Sequence, residues 1–286
     1  MSANAPSTRS LGERLAIYSL GIAVIVFLPF IFGGKVLRFV REALMQRVTS
    51  AHYEILCPAG ALPQDAMTEF AKQRELQFTA LKNKLGDADS NARISIIFDS
   101  NFPGPPTGEN GRHSYSLSGK TIRTKLTGQT LQLPATADAE AFLYAAWGKP
   151  GSAQIASWTA IWLTGEWHGA EIGMAAAQVE QRLGHKKVEA LLQNPGGEIV
   201  SPNDQDLLGA AWISEIAEFG GADEVRKLYA AKMPHPNIAT VEKALGSTPL
   251  ELDRKWQLWM YAYLAGMPSM PQDSGMRMNM PMAESH

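Results

Sequence analysis

The sequence predicts an α+β fold carried behind a single N-terminal transmembrane helix, with a mixed strand/helix front half and a mainly helical back half. Three observations predict it. Residues 15–34 form an uncharged apolar run of 20 positions, strand-like alternation is confined to residues 53–136, and from Asp138 onward apolar residues recur almost wholly at helical spacing. The 286 residues, 45% hydrophobic and 19% charged, suit a folded body rather than a disordered chain.

The apolar run comes first. At ~1.5 Å per residue, LAIYSLGIAVIVFLPFIFGG is long enough for a hydrocarbon core of ~30 Å. No small-x-small cleavage pattern follows it, so the reading is an uncleaved anchor rather than a signal peptide. Residues 35–50 then read as a juxtamembrane amphipathic helix. Val36, Leu37, Val40, Leu44 and Val48 alternate with Lys35, Arg38, Arg41 and Arg47 on the other side. Arg38 and Arg41 are placed to meet lipid phosphates or the membrane-proximal surface of a partner.

A body over 51–265 follows. YEILCP (53–58) alternates as a strand, and 63–85 reads as an amphipathic helix stopped by Gly86. RISIIFDS (93–100) is a strand, and three short ones are expected within HSYSLSG, KTIRTKL and TLQLPAT (113–136). Helices are expected at 138–147, 153–164, 168–183, 203–219 with 222–232, and 238–264. No linker composition separates the halves, so the break near Ala137 divides subdomains sharing one core.

Several chemistries are excluded at once. A net charge of −2, with no basic stretch interleaved with aromatics, leaves nucleic acid out of the list of partners. One cysteine, Cys57, forbids an internal disulfide and a zinc site of paired thiolates, and is expected to be a buried structural thiol. The glycines at 101–111 and at Gly196-Gly197 match no phosphate loop, because prolines stand where amide donors are needed in the first. No cofactor is expected.

Three short stretches carry a resemblance. Ile161-Trp162-Leu163-Thr164-Gly165-Glu166, then LGAAWISEIAEFGGADEVRKLY (208–229), then Ala244 to Ser247 with Leu252 and Trp256, resemble in order the later segments of the peptidase-MA-like (gluzincin-like) domain of membrane-anchored bacterial proteins. The resemblance implies a strand and helix leading to further strands, then a zinc-binding helix bearing His-Glu-x-x-His, with Glu166 near the slot of a glutamate ligand. It also implies a body facing outward, on the periplasmic side, whereas the positive charges after residue 34 favour a cytoplasmic one. The chain departs from the family at its centre. No His-Glu-x-x-His occurs, and the corresponding helix reads DAEAFLYAAW, where Glu140 has no histidines beside it. The resemblance therefore implies a peptidase-like fold that has lost its chemistry, since fold does not carry function by itself.

Other candidates are weaker in type. Glu166, His168 and Glu171 form an acid–histidine cluster in which His168 and Glu171 would share a helix face. A third ligand would have to come from His113 or His185. Trp256 and Trp259 lie in a stretch rich in aromatics and read either as core or as a partner-facing patch. The tail 266–286 holds Met276, Met278, Met280 and Met282 in alternation and ends at His286. It reads as a disordered tail, as an arm laid on a partner, or as a soft ligand set for Cu(I). The expectation is a non-catalytic, single-pass accessory subunit that docks on and stabilises a larger membrane complex, respiratory or photosynthetic in kind, with the lipid bilayer and other subunits as partners. The alternatives are a membrane-anchored metallohydrolase around Glu166, His168 and Glu171, and an extracytoplasmic copper-handling protein.

Overall fold

The computed structural model describes residues 42–86, 93–99, 115–126, 131, 133–193 and 200–266. Five strands make one sheet: β1 (Gln46–Thr49), β2 (Tyr53–Cys57), β3 (Ile94–Asp99), β4 (Tyr115–Ser118) and β5 (Thr121–Lys125). Their order is β1-β2-β3-β5-β4, with β2, β3 and β5 parallel and the outer strands β1 and β4 antiparallel to their neighbours. The inner strands β2 and β3 are buried at nearly every position, which explains their near-continuous apolar sequence. At the edge, β4 alternates a buried Tyr115 and half-buried Leu117 with exposed Ser116 and Ser118.

Eight helices accompany the sheet among the described residues: α1 (Gln64–Leu85), α2 (Ala135–Trp147), α3 (Ala153–Thr164), α4 (Ile172–Leu183), α5 (Val188–Leu192), α6 (Pro202–Ala230), α7 (Ile238–Leu245) and α8 (Pro249–Gly266). α1 connects β2 to β3 and buries Met67, Phe70, Phe78 and Leu81. α3 is the hub of the helical part. Ser152 caps it by accepting from Ile155 N, Gly165 ends it in the left-handed region, and seven consecutive residues from Ser157 to Leu163 are buried. One apolar core runs from Ile55 and Ile96 in the sheet through Phe142 and Trp158 to Trp256.

The expected fold class and the single-pass membrane placement are corrected by these elements. The described chain is mixed α/β, and among its residues no helix is long and apolar enough to cross a membrane. The apolar run 15–34 lies outside the described residues, as do Arg38 and Arg41. The amphipathic helix expected over 35–50 does not extend to its end. Gln46–Thr49 form β1, paired residue for residue with Glu54–Cys57, and only Val48 of the four is buried. Pairing with a neighbouring strand overrides the helical spacing of short apolar residues there. The third short strand expected within 130–136 is absent among the described residues, where Ala135 already opens α2.

Two further helix boundaries move. The helix expected from residue 168 begins at Ile172, because Glu166–Trp167 (β6) and Ala170–Glu171 (β7) pair as a hairpin. The expected helix 238–264 is two helices, broken where Gly246 turns left-handed (φ 65°) ahead of Pro249. α5 was not foreseen. The turn between 219 and 222 was: α6 carries a kink at Gly221, with φ 76° and ψ 177°.

Candidate functional site

A cleft of about 1080 Å³ opens between the β4 edge of the sheet and the helical part. Each wall is positioned by a local feature of the sequence. Tyr115 and Leu117, two apart on β4, turn their side chains to it together. On α2, Glu140 and Tyr144 stand one turn apart and line the same side. The Ser152 cap sets the first turn of α3, so that Gln154 and Ser157 border the cleft.

The far wall comes from α6. Ser201 caps it with Pro202 in the first turn, an arrangement that suits the missing proline N–H. Gln205 is held there by donating to Leu191 O at 2.6 Å, and Asp206 accepts from the Trp158 indole at 3.1 Å. Tyr229, at the other end of α6, donates to Gly148 O at 3.3 Å and meets Trp147 edge-on. Burial pushes the Tyr229 phenol well above its ordinary range, and the neighbouring Glu140 and Tyr144 add to the effect. It stays a neutral donor at any physiological pH. Aromatic faces, side-chain amides and carboxylates thus line the cleft, a mixture suited to holding polypeptide or another amphipathic chain.

The helix that the resemblance would make zinc-binding is α2. Ala139, Phe142 and Leu143 are fully buried in the core, and only Glu140 and Tyr144 of this stretch border the cleft. Beneath them, Asp138 is fully buried and accepts from Arg74 Nη1 at 2.6 Å, tying α2 to α1. Burial raises the Asp138 carboxyl, against the opposing pull of Arg74 and of the Tyr53 hydroxyl.

Glu166, His168 and Glu171 do not form a ligand set. They sit on the β6–β7 hairpin rather than on one helix face, with His168 and Gly169 both at positive φ (51° and 82°) as a two-residue hairpin turn requires. Glu166 and His168 border a second cavity of about 640 Å³ beside Lys84. Glu171 caps α4 by accepting from Gly173 N at 3.2 Å. Among the described residues no three His, Cys, Asp or Glu side chains converge as a metal site. His185 faces Glu180 at 3.6 Å, whereas His113, the Met-rich tail and His286 lie outside the described residues.

Trp256 and Trp259, considered as a partner-facing patch, are core residues with 0% and 4% of their surface exposed. Their indoles stack on one another at 5.8 Å, and their N–H groups bond to Lys186 O and to Glu218. Cys57 is buried as expected, and burial raises its thiol. The cleft residues Tyr115, Gln154, Gln205 and Tyr229 went unnoticed in the sequence. Only Pro202 beside Ser201, marking a helix start, hinted at that wall.

The fold and cleft define a mixed α/β domain with an open groove along one sheet edge. No family model matches this chain, and no curated protein or solved structure matches it either. The peptidase-MA-like resemblance therefore rests on the sequence motifs named above.

Proposed function

We propose that the chain is a non-catalytic binding subunit whose cleft holds an extended segment of a partner protein, in the manner of a peptidase-MA-like domain without its zinc helix. The observation that carries this reading is the position of the cleft against the edge strand β4. Its outer side has no strand partner among the described residues, and its Tyr115 and Leu117 reach into the groove. An extended segment laid there gains main-chain hydrogen bonds from the strand and side-chain pockets from the groove. The non-catalytic part of the reading is supported by α2, whose Ala139 and Leu143 are apolar and closed into the core. Docking one segment of a larger assembly is work such a cleft can do without a reactive group.

A photo-crosslinking residue placed at Leu117 in the full chain, in its native cells, tests the proposal. Cross-linking to a defined peptide of one partner is the expected result, lost on adding the substitution Tyr144→Ala. Cross-links scattered over unrelated proteins would overturn it. So would release of cleaved peptides from a peptide library by a route that Glu140→Gln stops, since that makes the cleft an active site.

A further inference from the structure

On the side of the helical part where α6 bends, a smaller cavity of about 240 Å³ opens between the kink, the end of α7 and the start of α8. Glu215 lines it. Its side chain is 2% exposed, and its Oε2 is fully buried with no hydrogen-bond partner. It forms no ion pair among the described residues either, although a buried carboxylate is normally paired or hydrogen-bonded. A buried carboxylate without a partner, at the wall of a cavity, is a half-built ion pair.

The surroundings say which partner completes it. Helix ends of both senses border the cavity, for α7 ends at Leu245, α8 starts beside it and the α6 ladder is interrupted at Gly220 and Gly221. The choice of partner therefore follows from the side chains. Glu224 lines the slot from beyond the kink, where it also pairs with Lys227, and Glu218 lies nearby, bonded to the Trp259 indole. Among the described residues that line the slot, Lys255 of α8 is the one cation, and it makes no ion pair with Glu215 although its charge acts on that carboxyl. Phe219, 60% exposed, lies at the same cavity, with Ile216, Leu245 and Leu252 as apolar wall.

We propose that this slot is a guanidinium site, in which a planar cation stacks on Phe219 and forms an ion pair with Glu215. A guanidinium fits better than an ammonium because it is flat, weakly hydrated and able to bond a carboxylate oxygen edge-on while stacking on a ring. The site stands apart from the cleft beside β4 and does not depend on the function proposed for it. Its ligand is an arginine side chain or a small guanidinium compound. Arg277 of this chain follows α8 by 11 residues in the sequence and carries such a side chain.

Binding requires Glu215 ionised. Burial lifts its carboxyl to about 7, with Lys255 opposing and Glu218 reinforcing, so affinity rises about tenfold between pH 6 and pH 8. The probe is ethylguanidinium, titrated calorimetrically into the full chain and into its Arg277→Gln variant. Saturable binding at pH 8 is expected at about millimolar Kd, weakening tenfold at pH 6. Lys255→Gln should tighten it and Phe219→Ala weaken it severalfold, and butylammonium should bind less well. If Arg277 is the natural occupant, Arg277→Gln tightens ethylguanidinium binding, whereas unchanged affinity assigns the site to an external guanidinium. The absence of saturable binding in both proteins overturns the site. So does an undiminished affinity in Glu215→Gln, whose folding is checked separately by its unfolding curve.

Discussion

Gly209 of α6 lies flat against the indole of Trp158 on α3: a Cβ at position 209 would fall 2.1 Å from Trp158 Cδ2. The same indole donates to Asp206 one turn earlier on α6, and its edge meets Trp212 one turn later. Gly209 therefore sets how closely the two central helices approach. The substitution Gly209→Ala, which raises helix propensity, should nevertheless destabilise the protein by about 2 kcal/mol through overpacking. Urea unfolding reads this as a lower midpoint with an unchanged slope. An increase in stability would show that α3 and α6 are not held at this distance.

Arg74 and Asp138 supply the second prediction. The pair is nearly closed to solvent, with side-chain exposures of 14% and 0%, and it joins α1 to the start of α2. Removing one partner leaves a buried charge without compensation, so Arg74→Ala should cost about 3 kcal/mol. Replacing both, as Arg74→Met with Asp138→Leu, should recover most of that loss, because the pair contributes little net stability over a well-packed apolar replacement. Thermal unfolding of the single and double variants checks it. Equal losses in both would mean the pair does something beyond satisfying itself.

The cleft supplies a third, spectroscopic prediction. Burial is the main reason the Tyr229 phenol resists ionisation, and the carboxylate of Glu140 adds to it. Glu140→Gln should lower the Tyr229 titration midpoint while leaving it above that of an exposed tyrosine. Difference absorbance at alkaline pH measures this directly. An unmoved midpoint would separate Glu140 electrostatically from the floor of the cleft.

What was legible in the sequence follows from how local each signal is. α1 and α3 were read within a residue or so of their ends because Gly86 and Gly165 stop them and their apolar spacing is long. β1 was misread as helix because four residues carry too little periodicity to outweigh the pairing with β2. The Glu166–Glu171 hairpin escaped notice because its turn is His168-Gly169 rather than the usual Asn-Gly or Asp-Gly, and its strands are two residues each. The cleft was invisible for a different reason. Its residues come from five elements spread over 115–236, and nothing local marks Tyr115, Gln154 and Tyr229 as neighbours. Trp256 and Trp259 show the converse, since aromatic density looks the same in a sequence whether it is core or surface.

The last prediction concerns pH, where two carboxylates act in opposite directions. Glu215 is raised from 4.5 to about 7, chiefly by burial. Between those values the unfolded chain has released this proton while the folded chain still holds it, so stability from this group falls as pH rises. The loss is complete above about pH 7 and amounts to roughly 3 kcal/mol. Glu215→Gln should therefore stabilise the ligand-free protein at pH 8 and leave it little changed at pH 4. Glu75 behaves in the other sense. Burial would raise its carboxyl, but hydrogen bonds from Ser50 Oγ at 2.6 Å and from the His52 ring and main-chain N–H, both at 2.7 Å, outweigh this and lower it. Its contribution is present above the ordinary glutamate range and is lost as pH falls through its depressed value. Glu75→Gln should thus destabilise the protein at pH 7 and converge with the parent in strong acid. Denaturant unfolding of the two variants from pH 3 to pH 9 measures both slopes. A parent whose stability does not fall between pH 5 and pH 7 more steeply than Glu215→Gln would remove the unpaired buried carboxylate on which the guanidinium site depends.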